Sequence, residues 1–381
     1  CNFIRSYIPY PNIEEDDFPL EENYFDLITC CDVLEHTENP VIVLRKLTQY
    51  LKPYGHVIIS IPNIQYWGTI YNLSFGRWDY QDAGILDITH LKFYTKNKLQ
   101  EFIRASGLLT NNISPLTIAP EEYVPRDNNG KIQIGKVMIE NVSDAEYEAF
   151  RTFQYIAIAQ KIPTELNEIN EQVHKLLRSR NIDLLFELTK VESNIPLWKR
   201  KSIEGKAYAH SGNLIKAQNS YLEALEIEEN SEILVEYGLL LIAMNQPTTA
   251  LKYLLQVYKD EPENIKLRLA MGQAYIQLGD ARKSYEHLHY AFSNSYDYPE
   301  VLNLFVQVCE YLGYTTEAES ILKQFMDFYP GEVSITLIYS RFLSRHNRIE
   351  DAINTLREYR DFFGANKELE EELKQLENLP N

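Results

Sequence analysis

Four residues in the first quarter of the chain have side chains able to move a proton or hold a metal: Asp32, Glu35, His36 and His90. The first three stand at i, i+3 and i+4, a spacing that one helical turn brings to a single face. A carboxylate beside an imidazole can take the proton of a hydroxyl group. Two carboxylates with two imidazoles are also a donor set for a divalent cation such as Mg2+ or Mn2+. Two other readings of the cluster stay open. His36 can act as a base without metal, or Glu35 and His36 can simply stabilise the fold.

The flanking segments read as strands and helices that would hold these residues at one crevice. Phe25–Cys30 is a short apolar run suited to a buried strand, and His56–Ile61 is a second. Between them, Pro40–Leu51 has the apolar spacing of an amphipathic helix, which Lys52-Pro-Tyr-Gly55 would stop. A long loop then leads to a helix over Thr95–Ser106, with Gly107 as its C-cap. Strands near Asn2–Ile8, Leu108–Leu116 and Phe153–Gln160 complete the pattern. Alternating strands and helices predict a parallel α/β sheet of Rossmann-like type with right-handed crossovers. Ligands of such sheets bind beyond the carboxyl ends of the strands. The segments Cys31–His36 and Pro62–Trp67 both follow strands directly. Tyr66, Trp67, Trp78 and Tyr80 would either cover an acceptor or pack the loop.

The run from Asn23 to His36, then Leu51-Lys-Pro-Tyr-Gly55 and Ser60-Ile-Pro-Asn63, resembles class I S-adenosylmethionine-dependent methyltransferases. The similar branch includes ubiquinone-biosynthesis O-methyltransferases and bacterial methyltransferases of glycan and glycosyltransferase clusters. Gly76–Tyr80, Gly84–His90 and Phe93-Tyr-Thr95 resemble the bacterial branch as well, so the likeness runs from about residue 2 to 161. The resemblance implies S-adenosylmethionine as cofactor and O-methylation of a glycan or small-molecule acceptor. Catalytic roles would fall to Glu35, His36 and His90, and cofactor contacts to Asn12, Ile13 and Cys31. Metal-dependent members carry a similar set, here Asp32, Glu35, His36 and His90, with Asp32 where they usually have Glu. The family's glycine-rich cofactor turn has no counterpart, since no glycine precedes Gly55. Residues 1–161 therefore read as the C-terminal portion of such a domain, a fragment beginning at the family's third strand and poor at binding the cofactor. Cys1 in the first position fits a fragment, or else a lipid-modified mature end.

Beyond residue 161 the character changes. Residues 162–197 read as a helical linker or degenerate repeat. From Trp198 small residues recur at two positions, Gly205, Gly238, Gly272, Val306, Ser340 and Ala217, Ala250, Ser284, Ala318, Ala352. Unit starts at Trp198, Ser231, Ile265, Pro299 and Val333 are 33, 34, 34 and 34 residues apart, the length of a tetratricopeptide repeat. Small residues let two antiparallel helices approach closely, and each hairpin needs a neighbour to bury its apolar face. About five repeats over residues 198–366, with a capping helix over 367–381, predict an all-α solenoid whose groove takes a protein or peptide.

The formal net charge of −18 speaks against nonspecific nucleic-acid binding, which needs Lys and Arg on phosphate. No apolar run approaches membrane-spanning length. The four cysteines lack zinc-site spacing, and a reducing, cytoplasmic setting suits them. Two readings of function follow: a methyltransferase with a protein-binding array, or a non-catalytic scaffold carrying a methyltransferase remnant.

Overall fold

A computed structural model describes residues 20–118, 123–191 and 195–378. The expected strand at Asn2–Ile8 and the residues Asn12 and Ile13 lie outside the described residues. The chain divides into two compact units, the first ending at Ser211 and the second beginning at Gly212.

The first unit is built on strand β1 (Phe25–Cys31), helix α1 (Pro40–Gln49) and strand β2 (Leu51–Pro62). Asn39 caps α1 by accepting from Ile42 N, and Pro40 supplies a preset backbone angle at its first turn. Lys52–Gly55 does not stop the helix from outside. It lies within β2, where the pairing with β1 shifts register between Phe25 and Leu27 and Tyr54 adopts φ +63°. Helices α2 (Trp67–Ser74) and α3 (Lys96–Ala105) follow, then strand β3 (Leu108–Thr117). Thr95 caps α3, and Gly107 at φ +82° lets the chain turn into β3. A two-stranded hairpin, β4 (Ile132–Ile134) and β5 (Val137–Ile139), precedes helix α4 (Asp144–Arg151) and strand β6 (Thr152–Lys161).

The sheet order is β1-β2-β6-β3. Strands β1 and β2 are parallel, but β6 runs antiparallel to both its neighbours. The expectation of an all-parallel sheet is corrected at this strand. The excursion over residues 118–151 leaves and re-enters the sheet at one end, pairing Thr117 with Thr152 and Leu108 with Lys161. Apolar patterning shows that a strand is buried but carries no sign for its direction. Helix α2 lies in the stretch read from sequence as a long loop. Ser143 and Glu146 form a capping box at the start of α4, a local signal that could have located it. On the central strand β2, Leu51, Val57, Ile59 and Ile61 are fully buried. They meet Val43 and Leu44 of α1 and Leu99 and Ile103 of α3 in one core. Helices α5 (Leu166–Arg178), α6 (Ile182–Lys190) and α7 (Leu197–His210) share a separate core with Leu109 and Ile162.

The second unit is helical throughout: α8 (Leu214–Ile227), then hairpins α9/α10 (Ser231–Ala243, Pro247–Asp260), α11/α12 (Ile265–Gln277, Ala281–Asn294), α13/α14 (Leu302–Leu312, Thr315–Phe328) and α15/α16 (Val333–Arg345, Ile349–Phe363), closed by α17 (Lys367–Glu377). Each turn between paired helices carries a left-handed residue, Asn245, Gly279, Gly313 or Asn347. Their spacing repeats the 34-residue beat, and Gly and Asn are the residues that tolerate this conformation. At the α11/α12 crossing, Ser284 Oγ donates to Gly272 O at 2.8 Å, so the small residue also satisfies a backbone acceptor.

His287 on α12 is buried, stacked on Tyr275 at 5.5 Å, and accepts at Nδ1 from Arg268 Nη1 at 3.2 Å. Burial, and then the Arg268 charge, hold its pKa down at about 4. A depressed histidine pKa stabilises the fold above the unfolded value near 6.5 and loses that contribution as pH falls toward 4. The urea midpoint of the second unit is therefore expected to fall across that window, by an equivalent on the order of 2 kcal/mol. The variant His287→Gln should flatten the slope between pH 6.5 and 4, and an unchanged slope would refute the assignment.

Candidate functional site

The site begins where β1 ends. Asp32 takes a left-handed backbone conformation, φ +52°, immediately after the strand. Its Oδ1 accepts from Ser60 Oγ at 3.3 Å and Gln154 Nε2 at 2.5 Å, which ties it to β2 and β6. The helical turn after it is a short 3-10 segment over Leu34–His36. Asp32 therefore stands before that turn and does not share a face with Glu35 and His36. The expected i, i+3, i+4 trio is corrected to a pair, because the left-handed residue redirects the chain before the turn starts.

Glu35 is 1% exposed, and neither of its carboxylate oxygens has a hydrogen-bond partner among the described residues. Leu34 pins the turn by filling the core, while Leu91 N and Lys92 N both donate to Glu35 O at 2.8 and 3.1 Å. Those two bonds bring the segment that carries His90 against the turn. His90 Nε2 lies 4.0 Å from Glu35 Oε1, and the His36 and His90 rings meet edge to face at 4.7 Å.

Both imidazoles are oriented from behind. His36 Nδ1 lies 3.2 Å from Thr89 O and 2.9 Å from Thr89 Oγ1, and that hydroxyl donates to Asp87 Oδ1 at 2.5 Å. His90 Nδ1 lies 3.0 Å from Ile85 O. A carbonyl only accepts, so Nδ1 carries the proton in each neutral ring and Nε2 is left as the basic atom. Burial pushes the Glu35 carboxyl up to about 7, with its own backbone amide and His36 working against the rise and Asp32 and Asp87 adding to it. The Thr89 hydroxyl and amide hold Asp87 below its ordinary value. Glu35, His36 and His90 each offer a ligand atom, all within 4.8 Å of one another.

The other expected residues separate into distinct environments. Cys31 is exposed at the end of β1, next to buried Cys30. Asn63 is buried and donates from Nδ2 to Ala149 O and Thr152 O, both at 2.8 Å, so this motif residue ties α4 and β6 to β2. Trp67 stacks on Tyr123 at 5.4 Å and is part of a packed cluster with Val124 and Ile132. Trp78 and Tyr80 are exposed, and Trp78 meets Phe93, which in turn meets His90. Sequence reading missed Asp87 and Thr89. Their signal is local: Thr89 N donates to Asp87 Oδ1 at 2.8 Å, a turn that Asp at this spacing favours.

Residues 7–110 match the family model described as a methyltransferase domain, and residues 241–304 match the tetratricopeptide repeat model. The chain is similar to the ubiquinone biosynthesis O-methyltransferase of Yersinia enterocolitica, 45% identical over 40 residues, covering 10% of this chain and 16% of the relative. The enzyme of that name from Ralstonia nicotianae is 32% identical over 107 residues, 28% of this chain and 42% of the relative. A TPR repeat-containing protein of Methanocaldococcus jannaschii is 25% identical over 169 residues, 40% of this chain and 49% of the relative. The chain thus spans less than half the length of these curated relatives. Among solved structures it is similar to a TPR protein of Thermus thermophilus, with TM-score 0.39 and 15% identity over 48% of this chain and 100% of that one. No described helix is long and apolar enough to cross a membrane. One chain thus carries a segment that matches the methyltransferase-domain model and, after it, a segment that matches the tetratricopeptide repeat model.

Proposed function

We propose that this chain takes part in S-adenosylmethionine-dependent O-methylation of a glycan or small-molecule acceptor in the cytoplasm, with the repeat array holding a protein or peptide partner. The observation that carries the catalytic reading is the buried Glu35 carboxylate without a hydrogen bond, facing a histidine whose Nδ1 is anchored elsewhere. Burying a carboxylate unpaired is costly, and sites of reaction are where such cost is found. S-adenosylmethionine supplies an electrophilic methyl group. Residues 1–54 contain no glycine, so no cradle for it is built from described residues, and the chemistry assigned to this chain is confined to the acceptor side.

An acceptor hydroxyl set against His36 Nε2 would give its proton to that nitrogen, freeing the oxygen for the methyl group that S-adenosylmethionine would supply, its sulfonium leaving as a neutral thioether. The Glu35 carboxylate stabilises the imidazolium so formed, and the Thr89–Asp87 relay holds the ring in its tautomer. His90 borders the same space and shields it with Phe93. The test is the pH profile of methyl transfer. The rate should rise through about pH 7 as Glu35 ionises. A flat profile would remove Glu35 from the mechanism.

A second reading follows from the same residues. One nitrogen of each imidazole and one carboxylate oxygen, all within 4.8 Å, fit a divalent cation, with Nδ1 of each histidine anchored as in many metal-ligating histidines. Glu35, His36 and His90 would hold it, and Asp32 is not in the set. The mixed nitrogen and oxygen donors suit Mn2+ better than Mg2+. A bound cation would orient the acceptor oxygen and ease its deprotonation. Titration of the metal-stripped protein with Mn2+ by electron paramagnetic resonance should give one site, lost in His90→Ala. Equal Mn2+ uptake by wild type and variant would exclude this reading. In the scaffold alternative Glu35→Gln and His36→Ala leave every activity of the protein unchanged.

A further inference from the structure

A cavity of about 530 Å³ lies on the first unit between α1, α3 and the segment Lys92–Tyr94. Its floor is apolar, formed by Val41, Phe93 and Phe102, and its rim carries Lys92, Lys98, Arg104 and Lys190. Four cations at one opening reverse the sign of a chain whose net charge is −18. Two carboxylates answer three of them. Lys98 Nζ is 3.1 Å from Glu101, while Glu187 takes Arg104 at 2.6 Å and Lys190 at 3.1 Å. Lys92 is exposed and makes no ion pair among the described residues. The cavity thus offers one uncompensated cation above an aromatic floor.

We infer that this cavity binds an amphipathic organic monoanion, an aromatic body on Phe93 and Phe102 with its acidic group at Lys92. The volume suits a small ring system, and pockets of this size combine an apolar lining with a few placed charges. A doubly charged inorganic anion is a poorer fit, since Glu101 and Glu187 repel it and it leaves the floor uncovered. The cavity shares the segment Lys92–Phe93 with the candidate site. Lys92 N holds Glu35 O, and Phe93 packs against the His90 ring. The inference stands whether or not the chain transfers methyl groups.

Naphthalene-2-sulfonate is a suitable probe, with 2-naphthol as its neutral counterpart and inorganic phosphate as the bare anion. Calorimetry on the full chain should show one site for the sulfonate, with 2-naphthol and phosphate each at least about tenfold weaker. The exposed-residue variant Lys92→Glu should weaken the sulfonate about tenfold, and Lys98→Glu several-fold less. Val41→Trp, which fills the floor, should abolish binding, with an unchanged circular dichroism spectrum showing that the fold is kept. Equal affinity for sulfonate and 2-naphthol, or affinity for the sulfonate unaltered in Lys92→Glu, would overturn the proposal. So would phosphate binding as tightly as the sulfonate.

Discussion

Exchange of Glu35 for glutamine is expected to lower the rate of methyl transfer about 100-fold, the usual contribution of one acid–base group, and to stabilise the fold. Both effects follow from one fact, the burial of an unpaired carboxylate. Burial lifts its pKa from the ordinary 4.5 of a glutamate to about 7. A carboxyl raised in this way contributes stability below its unfolded pKa and loses it as pH rises through the folded value. At pH 8 the ionised Glu35 therefore destabilises the native state, on the order of 2 kcal/mol. Glutamine keeps the shape without the charge, so Glu35→Gln should unfold at higher urea than the wild type at pH 8 and equally at pH 4. The rise of activity through pH 7 should vanish with the carboxylate. His36→Ala should lower the rate at least as far, because it removes the atom assigned to take the proton, and it leaves Glu35 in place. If Glu35→Gln loses both activity and stability at pH 8, the carboxylate is a structural member of the fold and the proposed role is wrong.

The second large effect concerns the repeats. A Cβ at Gly272 would lie 2.5 Å from both Cγ and Cδ2 of Leu288, and one at Gly238 2.6 Å from Leu254 Cδ2. Leu288 is fully buried and has nowhere to move without disturbing its neighbours. Forcing extra groups into a packed core costs typically about 1–3 kcal/mol. Gly272→Val should stand at the upper end, about 3 kcal/mol, because the clash involves a side-chain branch point. The pair Gly272→Val with Leu288→Ala should be less destabilised than the sum of the two single changes, since each relieves the other. Additive losses in urea denaturation would show that the crossing is not the cause. The corresponding residues of the next two hairpins, Val306 and Ser340, are both completely buried, so those crossings accommodate a side chain that the Gly272 crossing excludes.

Much of this was legible from local pattern. The 34-residue beat exposes the hairpins because helix crossings demand small residues at fixed intervals, whatever surrounds them. The strands β1 and β2 and the helices α1 and α3 were visible as apolar runs and amphipathic stripes, with Gly107 closing the last helix. Glu35, His36 and His90 were legible as residues able to do chemistry.

Tertiary structure alone decided how those residues meet. Asp32 has the right type and spacing for a shared helical face, yet its left-handed backbone puts it with Ser60 and Gln154 instead. The direction of β6 depends on where a 34-residue excursion returns to the sheet, a property of the path and not of the strand's composition. The isolation of Glu35 is likewise nonlocal: it needs Leu91 and Lys92 bonded to its carbonyl and His90 brought to its carboxylate. Sequence determines which side chains can ionise and which faces are apolar, because those are properties of residues and of nearest neighbours. The burial that lifts the Glu35 pKa exists only once the fold has closed over its side chain.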